Sequence, residues 1–384
     1  MTRPALALLA LALLGATPAQ ADPLGAPPAE LVAKLKLSPL YTRCVSVHGF
    51  PVLGTAKASD YALREAAWLI EKLIGHRPEL QQAMVENRVR FVVMAPSEMT
   101  TDVPEHSDLT PKAYWNRRAR GLGATEARPA VSCGEENLLD LPGDPYATEN
   151  ILVHELSHAI HERGMSKVDP TFDRRLTAAY ERAKAAGLWQ GTYAQTNRCE
   201  YWAEAAQSFF ACNRHDDAEH GPIDTREELR RYDPAVTKLL IEVFGDSPWR
   251  YQKPSLRPAA ERAHLAGFDR GRAGRFVWPA SAPPLEQAQG QARALPWLQA
   301  DALPKASPGG AAAATSLELV NRRAREVTVE WLDFAGERKR YLTLRPGRSA
   351  AQSTYAGHVW VVLEGGQVLG GVVATEAPGR VEVR

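Results

Sequence analysis

The sequence predicts an α+β domain followed by a small all-β sandwich, and three observations predict it. Strand-like apolar runs come early and helical periodicity dominates from Asn150 to Phe244, the order expected of a mixed α+β unit. Residues 280–314 are then rich in Ala, Pro and Gly, a composition with no core of its own. Beyond them the apolar period switches to two, as in short sandwich strands. The 384 residues are 45% hydrophobic, 24% charged and 8% aromatic, which excludes a collagen, a coiled-coil rod and wholesale disorder.

The first 21 residues stand apart from the fold. Arg3 is followed by an apolar run from Ala5 to Leu14, and Ala19 and Ala21 form an Ala-x-Ala pattern. This is the pattern of a secretory signal cut near Ala21, and the run is too short to span a bilayer. The expected location is secreted or periplasmic, without a membrane anchor. Lys and Arg total 46 against 45 Asp and Glu, so no electrostatic footprint for nucleic acid is present. Export makes disulfides feasible for Cys44, Cys133, Cys199 and Cys212, which allow three connectivities or four unpaired thiols. If the segment between Cys199 and Cys212 is one helix, these two lie roughly 20 Å apart and cannot pair.

Within residues 22–279, Val45, Val47, Phe50 and Val52 between Gly49 and Gly54 read as a strand or hairpin. Asp60–Ile74 has helical spacing, with Ala62, Ala66, Leu69, Ile70 and Leu73 on one face, Ser59 or Asp60 as cap and Gly75 as stop. Arg77–Glu86 reads as a second helix and Val89–Met94 as a buried strand, while Pro96–Asp144 reads as loop. In residues 315–384, strands are marked by Leu317 and Leu319, then Val327, Val329 and Trp331, then Val359 and Val361, then Val372 and Val373.

The sharpest chemical signal is His154-Glu155-x-x-His158. On a helix, residues four apart share a face, so both imidazoles can hold one Zn²⁺ per chain at about 2 Å each. Glu155 is offset toward a water rather than the metal. Leu152, Val153, Leu156, Ala159 and Ile160 bury the rest of the helix, and Gly164 suits its end. His161 lies two turns from His154, about 10 Å along the axis, and reads as a surface or supporting residue. A third ligand is offered by the helix starting near Glu200, where Glu200 and Glu204 are one turn apart on a face otherwise apolar at Trp202, Ala205, Ala206, Phe209 and Phe210. One carboxylate would complete His₂Glu coordination and the other would fix a ligand imidazole.

The run from Tyr193 through Asn197 to Glu200-Tyr-Trp-Ala-Glu204-Ala, following the His-Glu-x-x-His helix, resembles the zinc peptidase domain of anthrax lethal factor, within the gluzincin class. The resemblance covers mainly residues 150–212 and implies a zincin-like metallopeptidase domain. It also implies Glu200 as third ligand, Glu204 as support for a ligand histidine, and Tyr193 at the reaction centre. In the metzincin pattern the third His would fall at position 164, which here is Gly. Arg120–Gly123 and Gly134–Leu139 resemble the same group of secreted proteins, without an assignable role. The chemistry implied is peptide hydrolysis by a zinc-activated water, with Glu155 as proton carrier and Tyr193 as donor to the oxyanion.

From Asn321 to Trp360 the chain resembles the β domain of the von Hippel–Lindau tumour suppressor, which reads hydroxyproline in a peptide. The matching pocket positions are Trp331, Tyr341, Thr354, His358 and Trp360, with Thr354 in place of the family's Ser. The same aromatic residues would also suit the core of a small sandwich. The function expected is a secreted zinc metallopeptidase acting on protein or peptide, whose β domain binds a proline-rich or hydroxyproline-bearing protein. The alternatives are a non-catalytic secreted binding protein with a structural or vestigial zinc site, and a hydrolase of non-peptide amides.

Overall fold

The computed structural model describes residues 24–215, 217, 219–284, 293–309 and 314–384; the signal-like residues 1–21 lie outside them. The helices are α1 (Ala29–Leu35), α2 (Asp60–Ile74), α3 (Pro78–Glu86), α4 (Lys112–Arg118), α5 (Glu135–Leu138), α6 (Ile151–Ala159), α7 (Ser166–Val168), α8 (Phe172–Ala185), α9 (Arg198–Phe209), α10 (Arg226–Tyr232) and α11 (Pro234–Phe244). The first sheet holds β1 (Arg43–Val47), β2 (Phe50–Gly54), β3 (Arg90–Met94), β4 (Gly121–Leu122) and β5 (Ala130–Gly134). Its order is β1-β2-β3-β5-β4, with β2, β3 and β5 parallel and β1 and β4 antiparallel to their neighbours. The α+β class is therefore as expected. No helix among the described residues is long and apolar enough to cross a membrane.

Local chemistry explains the elements. Ser59 caps α2 by accepting from Tyr61 N at 3.2 Å, and Ala62, Ala66, Leu69, Ile70 and Leu73 are buried on its inner face. Asn150 caps α6 through Val153 N at 2.9 Å. Asn197 caps α9, its Oδ1 accepting from Cys199 N at 2.8 Å and Glu200 N at 3.0 Å. Trp202 at the centre of α9 donates to Ser157 O of α6 at 3.0 Å, which sets the register between the two site helices.

Three features differ from the sequence reading. Residues 96–144 are not simply loop: β5 lies inside the sheet and β4 forms its edge beside α6, β4 being only two residues long and β5 broken by Ser132 and ended by Gly134. The helix carrying the His-Glu-x-x-His motif does not stop at Gly164; it widens into a π turn over Ile160–Met165 and continues into α7. His161 is not at the surface but 2% exposed, held by Asp173 at 2.8 Å.

The C-terminal region packs two four-stranded sheets. Its strands are β6 (Arg293–Ala294), β7 (Ala314–Asn321), β8 (Val327–Leu332), β9 (Arg338–Leu344), β10 (Ser349–Tyr355), β11 (Val359–Glu364), β12 (Gln367–Val373) and β13 (Gly379–Val383). One sheet runs β10-β7-β13-β6 and the other β12-β11-β8-β9. Leu317, Leu319, Val329, Leu342, Trp360, Val362, Val372 and Val381 form the buried core between them. The boundary at 315 moves as a result. Arg293–Ala294 pair with β13, and Leu295 and Trp297 pack on the sandwich core, so much of the Ala/Pro/Gly-rich stretch belongs to the β domain.

Candidate functional site

The α6 and α9 helices cross so that His154, His158 and Glu200 converge. The His154 Nε2 to Glu200 Oε2, His158 Nε2 to Glu200 Oε2 and His158 Nε2 to His154 Nε2 distances are 3.2, 3.3 and 3.2 Å. With the Nδ1 proton of His154 committed to Gln207 Oε1, its neutral ring brings a lone pair rather than a donor to this contact, so the triangle is poorly satisfied by itself. Its edges match those of a tetrahedron with bonds of about 2.0–2.1 Å, for which geometry gives roughly 3.3–3.4 Å. The residues present therefore fit a zinc ion, and among the described residues these three form a group able to hold a metal.

The supporting shell fixes one tautomer. His154 Nδ1 lies 2.8 Å from Gln207 Oε1 and 3.4 Å from Glu204 Oε1. Gln207 is the nearer partner and uses its amide nitrogen on Asn150 O at 3.2 Å, so its oxygen must face the imidazole. His154 Nδ1 then carries the proton and Nε2 is left as the atom able to ligate a metal. Glu204, the support expected from sequence, is 2% exposed and accepts from Asn213 Nδ2 at 3.1 Å. Behind it His220 Nε2 stands 4.0 Å away, its Nδ1 bound to Asp217 at 2.9 Å. Gln207 was absent from the sequence reading, though it was discoverable: it sits seven residues after Glu200 and three after Glu204, on the same helix face.

His154, His158, Glu200, Glu204 and His220 line one cleft of ≈ 560 Å³, together with Gly121–Thr125, Trp115, Arg118, Tyr146 and Tyr193. Glu155 reaches it from α6, next to Gly121 and Gly123. Tyr193 faces His154 across 6.4 Å between ring centroids. Its backbone N donates to Glu219 O at 2.5 Å, and Tyr180 OH holds the same segment through Gln195 O at 2.7 Å. Arg118 escaped sequence reasoning because nothing local marks a long-range neighbour of Tyr193 and Glu200.

Electrostatics follow from the shared burial. Burial opposes charge on His154 and His158, yet the Glu200 carboxylate beside them raises both above the ordinary histidine range. Burial likewise opposes ionisation of Glu200, and the two imidazoles override it, holding Glu200 well below the usual carboxylate range. Burial raises Glu155 and the Tyr193 phenol. The carboxylates around the two imidazoles therefore make the site receptive to a cation.

Glycines let the edge strand approach. A Cβ on Gly121 would run into Ile151 and lie 2.7 Å from Ser132 O, and one on Gly123 would lie 3.1 Å from His158 Cβ. Arg120 anchors the strand: its guanidinium pairs with Glu136 through Nε at 2.5 Å and Nη2 at 3.1 Å, both side chains wholly buried. The two segments without a role in the sequence, Arg120–Gly123 and Gly134–Leu139, are thus joined to each other.

In the β domain, His358 stacks on Trp331 at 5.0 Å, and Tyr341 meets Trp331 edge-on at 6.2 Å and Trp360 at 5.0 Å. The five positions do cluster, but they divide. Trp360 is 1% exposed and is core, and its indole N–H donates to Thr354 Oγ1 at 2.8 Å, with Thr354 buried too. Trp331, Tyr341 and His358 are half-buried and form the open wall, extended by exposed Phe334. Burial lowers His358, keeping its imidazole neutral at neutral pH.

Among curated proteins no match to this chain was found. Residues 311–368, from just before β7 into the start of β12, match the VHL beta domain family, so this stretch of the C-terminal sandwich is similar to that domain in sequence.

Proposed function

We propose that this chain is an exported zinc metallopeptidase of the gluzincin type, with a C-terminal domain that engages proline-rich or hydroxyproline-bearing protein. The observation that carries the reading is the triangle of His154, His158 and Glu200, with edges of 3.2–3.3 Å that suit a tetrahedral ion. Zinc, when bound there, supplies a Lewis acid and makes water acidic near neutral pH.

This chain's own residues do the rest. Gln207 and Glu204 keep the proton of His154 on Nδ1, away from the metal side. Glu155 takes a proton from the attacking water and passes it to the departing amine. Tyr193 donates its phenol hydrogen to the developing oxyanion, a role suited by a phenol that burial keeps protonated. The edge strand β4, flanked by glycine, offers backbone groups on which an extended peptide can pair along the cleft. In the β domain, the Trp331, Tyr341 and His358 wall suits an apolar pyrrolidine ring, and neutral His358 can accept from its hydroxyl. The Ala-x-Ala pattern at residues 19–21 supports export.

Metal analysis and digestion of a peptide library test this together. Wild type is expected to hold one zinc and cut peptides, and to stop after chelation until zinc is restored. Glu155→Gln is expected to keep the metal and lose at least 100-fold in turnover, on the order expected for a lost acid–base group. Full turnover by metal-loaded Glu155→Gln would reject the mechanism.

A further inference from the structure

We infer that the β-domain wall and the catalytic cleft are successive parts of one substrate groove, so that cleavage falls a few residues from the ring that the β domain holds. The inference rests on the peptidase reading above and adds where, on the substrate, that peptidase cuts.

The carrying observation is Tyr355, the last residue of β10. On one side it packs against Leu109, Tyr114, Trp115 and Leu122 of the N-terminal domain, and Trp115 and Leu122 themselves line the cleft. On the other side its ring meets His358 at 5.2 Å. One side chain therefore separates the cleft wall from the imidazole that stacks on Trp331. The contact is anchored, because Arg128 donates to Tyr355 OH at 2.9 Å and is gripped by Asp108 at 2.8 and 2.7 Å. Tyr341 also feels the carboxylate of Glu162, a cleft residue, which adds to the rise that burial gives its phenol.

Only the Tyr355 ring and the cleft wall behind it stand between the two, a separation that a few residues of extended chain cover at about 3.3–3.6 Å each. Two subsites this close on one peptide act at high effective concentration, so joining them should strengthen binding well beyond either alone. The occupant this favours is one continuous chain: backbone laid in the cleft and, a few residues on, a pyrrolidine ring against Trp331, Tyr341 and His358. Binding of two separate molecules would gain nothing from the shared Tyr355 wall.

The test uses full-length, zinc-loaded Glu155→Gln and synthetic peptides that carry one hydroxyproline two to fifteen residues from a fixed segment cut by wild type. Calorimetry is expected to show an optimum at short spacing, at least tenfold tighter than the longest spacing. Wild-type kcat/KM should peak at the same spacing. His358→Ala is expected to flatten the profile, and Tyr355→Phe, which keeps the ring but loses the Arg128 bond, to broaden it. Affinity that is independent of spacing, or matched by an unlinked pair of peptides, would overturn the shared groove while leaving the peptidase reading intact. Failure of wild type to cut any peptide would instead overturn both.

Discussion

The His154 environment shows how a sequence motif and its support differ in visibility. His154, Glu155 and His158 are legible because a fixed spacing on one helix already dictates a shared face. Glu200 is legible because a lone acid pair on an apolar helix needs a reason. Gln207 is visible only once the partner of the imidazole N–H is asked for, since its 2.8 Å contact spans 53 positions of sequence. Replacing Gln207 with Ala is expected to weaken zinc binding by about 10- to 100-fold with the fold retained, read by chelator competition. Glu200→Ala should lose the metal, whereas His161→Ala should keep it and lose stability instead. His161 is buried and shares Asp173 with Arg198, which lies 2.7 Å from the same carboxylate. Its removal opens a cavity and takes a partner from Asp173, for an expected cost of about 2–4 kcal/mol in denaturant unfolding. Zinc loss in His161→Ala with normal zinc in Glu200→Ala would reverse the ligand assignment.

Among the elements, Gly134–Leu139 does most to place others. Glu135 accepts from Ser59 N at the start of α2 at 2.8 Å, Glu136 grips Arg120 before β4, and Asn137 accepts from Ile151 N at the start of α6 at 2.9 Å. Three consecutive polar side chains thus fix α2, the edge strand β4 and α6. Nothing periodic announces this, which is why the sequence showed the flanking helices and left residues 96–144 as loop. Because Arg120 is wholly buried, Glu136→Ala is expected to cost about 3–5 kcal/mol, the penalty of an uncompensated interior charge. Glu135 behaves differently. Burial lifts its carboxyl to about 7, with Glu136 and Glu98 adding repulsion and Ser59 N opposing. The folded state therefore binds this proton more tightly than the unfolded chain does, and stability must fall as pH rises from about 4.5 to about 7. Glu135→Gln preserves the acceptor for Ser59 and removes the titration. Urea midpoints at pH 5 and pH 8 should differ less in Glu135→Gln than in wild type; equal differences would show that Glu135 ionises freely in the folded protein.

At the scale of the whole molecule, composition misplaced the start of the C-terminal domain, and packing explains why. An Ala/Pro/Gly-rich stretch reads as a linker because such residues bury little, yet Leu295 and Trp297 within it cover the sandwich core. The backbone is tied down as well. Arg293 N and Leu295 N donate to Pro378 O and Arg380 O at 2.9 and 3.0 Å, and Leu298 exchanges bonds with Gly371 at 2.8 and 2.9 Å. Ser307 Oγ accepts from Val359 N at 2.9 Å, at the start of β11. A fragment of residues 315–384 lacks all of these, leaves β13 as a bare edge and exposes the surface beneath Leu295 and Trp297. Full burial of one such side chain contributes roughly 1.5–3 kcal/mol, so even the partial burial of Leu295 and Trp297 is a sizeable share of the stability of a domain this small. A fragment of residues 293–384 is therefore expected to melt in one cooperative transition. The fragment of residues 315–384 should melt at least 10 °C lower, by the shift of about 4–8 °C per kcal/mol usual for domains of this length, or aggregate through its open edge. Equal midpoints for the two would mean that residues 293–308 rest on the sandwich without holding it together.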